Sequence, residues 1–575
     1  MKLVRLKLNT PFRSLPKGFE VDFLRAVDRA AMWDFMPYCL VGRNGSGKSN
    51  VLEALAAIFY HIECIYLNFK PEGFEKDADN QKGFDAEIAY PDAYQLEYYI
   101  EIPIELIKKT VNDLENKPIY GVYAHILVEK KPKKRPVIQW LNRAEYDSAG
   151  LIELNSLEIR QLTPQYIVGY SSGENEILSL PFFKMRFIHF DEFADKLIQQ
   201  TGYTTAEGRL VYVDNTYSQA VFLTNYLMQD PHVLKPIHDT LHIEAIKTFR
   251  IILNRNIDIS ERLEGGFSND FSDDFLTSNA VKKHQLVDQL GDITERLRLC
   301  ATCYNDASDR ILYLDYCIGE ATREAFKFHF ENDALKLFQA FQILLTLNLY
   351  DVSFELKREL YQSDSLYVNE TVPVLASDKR VTRFKDVTIQ KKDLQDIHSI
   401  KSLSDGEHQY LHAMGLCLLF KNTNTLFLLD EPETHFNPDW RAKFISTLRD
   451  CLKDEGKHRL RDLLITSHSP FIISDCKQEN VLVFQRDTEG ARCERPKINT
   501  FGTSVNILTE EIFNKNESIG DLAMERINKI YEEVEDGKID VQEAKEQSRE
   551  LGESVEKVLL FRKLILKEKN NKKDA

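Results

Sequence analysis

The segment Gly42-Arg43-Asn44-Gly45-Ser46-Gly47-Lys48-Ser49 constrains this chain more than any other, because it has the spacing G-x-x-x-x-G-K-[ST]. That spacing makes physical sense where a strand hands over to a helix. The glycines let successive backbone N–H groups curl around a phosphate, and the positive end of the following helix faces the same charge. Both flanking elements are predicted: Pro37 to Val41 as a short buried strand, Asn50 to His61 as an apolar helix. Asn44, Gly45, Ser46, Gly47 and Asn50 are therefore candidate phosphate-binding residues. Lys48 is expected to reach the β- and γ-phosphates of a nucleotide, and the Ser49 hydroxyl to ligate Mg²⁺.

A length of 575 residues predicts two to four structural units, and 43% hydrophobic with 29% charged residues is ordinary for a soluble globular chain. No run approaches the roughly 18 apolar residues that span a bilayer. Met1 to Leu8 alternates charged and apolar residues as a strand does, unlike a signal peptide. A cytosolic, cytoplasmic protein without a membrane partner is expected. The nine cysteines show no framework, which fits a reducing compartment, and Cys300 and Cys303 read as two cysteines on a helix. A net charge of −16 disfavours a surface that binds nucleic acid throughout. Lys130, Lys131, Lys133, Lys134 and Arg135 cluster around Pro132, and a solvated hairpin turn is favoured there over a DNA contact.

Four units are predicted along the chain. Residues 1–190 form a first ATPase lobe, with the P-loop and antiparallel strands between about Asp85 and Tyr170. Residues 191–375 are expected to be a helical insert, its clearest helices His238 to Asn254, Ala280 to Cys303 and Ala321 to Leu349, with a loop from Leu263 to Asp274. No heptad run is long enough for an extended coiled-coil arm. Residues 376–505 form a second lobe. Residues 506–575 form a charged helical tail ending in Lys563, Lys567, Lys569, Lys572 and Lys573, read as a solvated helical hairpin or a partner-docking surface.

Three further motifs lie in the second lobe. Thr425 to Leu429 predicts a central strand ending in Asp430 and Glu431, where Asp430 is expected to hold Mg²⁺ and Glu431 to polarise the attacking water as general base. Leu403-Ser404-Asp405-Gly406-Glu407 precedes a helix from His408 through Leu419, and by itself reads as a helix N-cap and turn. Leu463-Leu464-Ile465-Thr466-Ser467-His468-Ser469-Pro470 is another apolar strand ending in polar residues.

Taken in this order, the four motifs resemble the ABC-type ATPases of the RecF, SMC and OLD group, over residues 1–60 and 380–485. The resemblance implies an α/β ABC-type head with a mixed sheet and antiparallel strands, beside the helical insert and tail. It also implies ATP with Mg²⁺, and a homodimer that sandwiches each ATP. Ser404, Gly406 and Glu407 resemble the LSGGQ signature, which implies contact with the γ-phosphate of the partner subunit's ATP. His468 resembles the switch histidine, a catalytic position alongside Glu431. His435 and Asn437 then lie in the D-loop, and Arg13 resembles the basic residue on the second strand that faces the nucleotide. Gln139 is a weak match to the Q-loop glutamine. A second signature-like phrase, Tyr170 to Glu176, has no acidic strand behind it; lining the nucleotide site and forming a plain turn both stand as readings.

OLD-family nucleases carry a metal-binding Asp-x-Asp cluster after the last motif, and none follows Asn480 to Phe484 here. The expected function is thus a regulatory ATPase of antiphage defence or restriction, similar to the ATPase subunit of Septu, acting on a separate nuclease of HNH type. Two alternatives stand: a RecF-like ATPase acting directly on nucleic acid in repair, and an OLD-like nuclease.

Overall fold

A computed structural model of the chain describes residues 1–25, 35, 37–108, 122–147, 150–173, 176–198, 208–255, 290–306, 310–363, 365–392, 396–453, 460–515 and 519–571. Its centre is a seven-stranded sheet of β1 (Tyr38–Gly42), β2 (Tyr166–Ser171), β3 (Leu210–Tyr212), β4 (Thr425–Asp430), β5 (Asp462–Ser467), β6 (Val481–Asp487) and β7 (Gly490–Glu494). The order is β7-β6-β1-β5-β4-β2-β3, parallel throughout except for the β6–β7 hairpin.

Strands β1, β4 and β5 are buried along their whole length, which is why each reads as an unbroken apolar run. Their alternate side chains enter two different cores. Leu426, Leu428, Leu464 and Leu40 pack toward helix α1 (Lys48–Tyr66). Phe427, Leu429, Ile465 and Val41 pack toward α2 (Asp405–Leu419) and α3 (Pro438–Leu452). With each fully buried side chain worth about 1.5–3 kcal/mol, this double burial holds the strand ends rigidly in register.

Two antiparallel sheets flank the centre. One contains Lys2–Leu8, Glu20–Asp22, Tyr94–Glu101, Tyr123–Lys130 and Val137–Trp140. Its last two strands are joined by the basic turn foreseen in the sequence. Lys130 is buried against Asp92 at 2.9 Å, whereas Lys131, Lys133, Lys134 and Arg135 are exposed. The expected α/β P-loop head, with a mixed sheet and antiparallel strands beside it, is thus the architecture observed.

The second flanking sheet corrects one expectation. Residues 243–254, read as part of a helix from His238 to Asn254, form a strand, Ile243–Asn254, and only Pro231–Leu241 before it is helical. This strand joins Ile311–Cys317, Cys303–Asn305, Thr382–Lys391 and Ile397–Ser399. Its pairing with Thr382–Lys391 shifts register three times. Bulges of that kind break the two-residue alternation and leave buried Ile243, Ile246 and Phe249 three apart, a helix-like spacing. The middle segment therefore supplies strands as well as helices.

Ala321 to Leu349 is likewise two helices, Glu320–His329 and Ala334–Thr346, divided where Glu331 and Asn332 turn left-handed and Asp333 caps the second. Of Ala280 to Cys303, residues 280–289 lie outside the described residues; Gly291–Cys300 is a helix, and Cys303 lies in a strand rather than on that helix with Cys300. The loop Leu263 to Asp274 lies outside the described residues, as do Lys572 and Lys573. The tail holds α4 (Val505–Phe513) and three helices, Asp521–Glu535, Val541–Gln547 and Val555–Asn571, around a small core of Ile527, Ile530, Val534, Leu560 and Leu564. Among the described residues no helix is long and apolar enough to cross a membrane.

Candidate functional site

The carboxyl ends of β1, β4 and β5 share one edge of the central sheet, the edge where open parallel sheets bind ligands. A cavity of about 750 Å³ opens there. Along one side run Asn44, Gly45, Gly47, Lys48, Ser49 and Asn50; Glu431 and His468 line the other.

The loop's shape depends on two glycines. Gly42 has φ 145°, and a Cβ there would come within 2.3 Å of the Phe484 carbonyl oxygen. Gly47 caps α1 with φ 101°, and a Cβ there would stand 2.8 Å from both Ala491 Cβ and Ser14 Oγ. Any other residue at either position forces strain and a clash together. Ser46 is buried, and its Oγ has no partner among the described residues.

Lys48 Nζ lies 3.1 Å from the Gly42 carbonyl, 3.3 Å from that of Arg43 and 3.0 Å from His468 Nε2. Burial lowers its pKa, opposed by the nearby charges of Glu431 and Asp430. The Ser49 hydroxyl donates to Asp430 Oδ1 at 2.7 Å, and Thr466 Oγ1 donates to the same oxygen at 2.6 Å. Thr466 Oγ1 in turn accepts from the Glu431 N–H at 2.9 Å, so one threonine on β5 positions both acids. Glu431 has φ 48° and presents Oε1 to His468 Nε2 at 3.0 Å. The hydrogen bond from His468, aided by Lys48, holds its carboxyl below the usual range although partial burial opposes this. Behind it, Glu433 is buried, accepts from Ser467 Oγ, and is pushed up to about 7 by burial.

The Ser404 segment lies elsewhere. Ser404 caps α2 in a reciprocal box with Glu407, and Lys391 contacts Glu407 at 2.5 Å. Ser404 is exposed, whereas Gly406 is buried against the carbonyl of His435. None of Ser404, Gly406 and Glu407 lines the cavity of their own chain. Arg13 is also turned away: it pairs with Glu53 at 3.6 Å and packs over Phe12 and Tyr90, while its neighbour Ser14 lines the cavity. Gln139 sits on the edge strand Val137–Trp140 of a different sheet. Of the Tyr170 phrase, Ser172 joins the acidic turn, its N–H donating to the Asp430 carbonyl at 3.1 Å and its Oγ to Thr434 Oγ1 at 3.0 Å. Glu174 and Asn175 lie outside the described residues.

Sequence reasoning missed Ser14, Gln409 and Arg486. Ser14 Oγ donates to Asn50 Oδ1 at 2.6 Å. Gln409, on α2, accepts from the His435 N–H at 2.9 Å and donates to the Glu431 carbonyl at 3.4 Å, tying α2 to the turn after Asp430. Arg486 enters the cavity from β6. Only Ser14 had a nearby signal, its place beside the noted Arg13.

A triphosphate with Mg²⁺ fits this donor set. The Gly42–Gly47 cradle has room for backbone approach but not for a Cβ, and the hard oxygens of Ser49 and Asp430 already converge.

A Gly-rich loop between β1 and α1, with Asp430 ending the next strand but one and Glu431 directly after it, is the geometry of a P-loop nucleotide site. Comparisons with known proteins find partial similarities. A family model described as "AAA domain, putative AbiEii toxin, Type IV TA system" matches residues 259–474. "Protein ea59" of Escherichia phage lambda is 29% identical over 161 residues, a stretch covering 28% of this chain and 28% of that protein. Two solved structures overlap more loosely. An SMC head bound to the C-winged helix domain of ScpA gives 11% identity, TM-score 0.31 and coverage of 86% of this chain and 96% of that one. The SMC head domain from Thermotoga maritima gives 11%, 0.31, 87% and 100%.

Proposed function

We propose that the chain is an ABC-type, Mg²⁺-dependent ATPase that acts as a switch, two copies closing around two ATP molecules to regulate a partner effector. The observation that carries this reading is the split between the two groups of motif residues. Lys48, Ser49, Glu431 and His468 line one cavity, with Asp430 hydrogen-bonded to Ser49 beside it, whereas Ser404 is exposed at the start of α2, outside it. A helix N-terminus with an exposed hydroxyl is suited to an anion. A second chain is the simplest source of that anion.

Within one chain the roles follow from position. Lys48 and the loop N–H groups bind and orient the phosphates. Ser49 and Asp430 would hold Mg²⁺, which when bound offsets phosphate charge. Glu431 accepts the proton of the attacking water, and His468 holds the Glu431 carboxylate on the cavity side. Arg43, inside the loop, donates to the carbonyls of Phe513 and Asn514 at 3.0 Å each, giving the tail a direct connection to the nucleotide site. The effector we favour is a separate nuclease of HNH type in antiphage defence or restriction.

Mixing variants tests the shared site. Lys48→Ala and Ser404→Arg chains should each be inactive alone, and mixing should restore part of the hydrolysis by forming one intact composite site. No recovery on mixing argues for a site complete within one chain. Co-expression with the product of the neighbouring gene tests the effector: a stable complex supports it, and a chain that always purifies alone speaks against it.

The exposed Lys131, Lys133, Lys134 and Arg135 favour one second reading, direct action on DNA. Hydrolysis stimulated by DNA and weakened by salt would mark it.

A further inference from the structure

We infer that Arg486 is a nucleotide-binding residue that holds the nucleoside end of the ligand, not its terminal phosphate. The inference rests on the ATPase reading above and extends it to a residue outside the four motifs.

The hairpin of β6 and β7 is built against the P-loop. Phe484 on β6 pairs with Gly42, and its carbonyl leaves no room for a Cβ there. Ala491 on β7 lies against Gly47, and its N–H donates to the Ser14 carbonyl at 3.0 Å. Arg486 is the cross-strand partner of Ala491 and lies two residues past the Phe484–Gly42 pair, so the β6–β7 hairpin holds its Cα beside the loop. Its side chain is exposed and lines the cavity, and no ion pair or hydrogen bond of the guanidinium appears among the described residues. The same hairpin pairs its other arginine, Arg492, with Asp487 at 2.7 Å.

Sheet order gives the direction. In β7-β6-β1-β5-β4, Arg486 lies on one side of the P-loop strand β1, and His468 and Glu431 follow the strands on the other side. A nucleotide whose terminal phosphate meets His468 and Glu431 must extend its other end toward β6, where Ser14 and Arg486 form the wall. There a planar guanidinium supplies what a nucleoside needs: a flat cationic surface for the base and donors for the ribose.

Arg486→Ala separates this role from a phosphate contact. Competition against a fluorescent ATP analogue would give affinities for ATP, ADP and inorganic tripolyphosphate. ATP and ADP should weaken by the same factor, about tenfold, with tripolyphosphate unchanged. Unchanged ATP affinity, a loss confined to ATP, or an equal loss for tripolyphosphate would each overturn the inference. Failure of the wild-type chain to bind any nucleotide would sink the ATPase reading instead.

Discussion

Nε2 of His468 stands 3.0 Å from Oε1 of Glu431. The same nitrogen is 3.0 Å from Lys48 Nζ, so it must donate to the carboxylate or accept from the ammonium, and one proton position cannot serve both. Lys48 also has the carbonyls of Gly42 and Arg43, whereas the imidazole offers the Glu431 carboxylate its best-placed donor. The arrangement assigns the Nε2 proton to the Glu431 contact and leaves Lys48 available to phosphate.

Replacing Glu431 by Gln removes the proposed base while keeping the shape. Turnover should fall by about 10²–10⁴-fold and ATP binding should persist, read by single-turnover hydrolysis alongside equilibrium binding. Turnover at the wild-type rate would remove Glu431 from the role of base.

Glu433 predicts a pH dependence of stability. Its carboxyl is held at about 7 in the folded chain against 4.5 for an unperturbed glutamate. The folded state therefore binds the extra proton. Its contribution is fully present below pH 4.5 and is lost as pH rises from 4.5 through 7. Glu433→Gln should remove this slope, leaving the variant more stable than wild type at pH 8 by on the order of 3 kcal/mol at most. Thermal melts of both proteins across pH 5–8 check it, and parallel curves would count against a buried titrating Glu433.

Gly406 has no room for growth, since a Cβ would come 2.8 Å from the His435 carbonyl oxygen. Gly406→Ala should push α2 from the His435 turn and weaken the Gln409 bridge, costing about 1–3 kcal/mol. Hydrogen exchange at the His435 amide should speed up; unchanged protection there would contradict the packing described.

Arg43→Ala removes two donors from the end of α4. The expectation is faster amide exchange in residues 505–515, with ATP affinity changed less than by Lys48→Ala, which should abolish binding. Equal exchange in both proteins would mean that the tail does not depend on the loop.

Much of the site was legible because its chemistry is local in sequence. The Gly42–Ser49 loop, the strand ending in Asp430-Glu431 and the strand before His468 each announce themselves within about ten residues. Arg486 and Gln409 act through packing between distant segments, and nothing in their neighbourhoods marks them. The fold was legible where a strand is buried on both faces, as in Thr425–Asp430, and where a helix has a clear start. It was misread at Ile243–Asn254, where bulges replace alternation with a helix-like spacing, and at Asn332-Asp333, where a turn and cap signal was passed over.

A second copy of the chain is proposed to complete the nucleotide site. The most direct test is the mass of the Glu431→Gln protein in solution with Mg²⁺ and ATP, compared with ADP. A species of twice the chain mass is expected with ATP, lost with ADP and lost again when Ser404→Arg is added. A mass that does not respond to the nucleotide would contradict it.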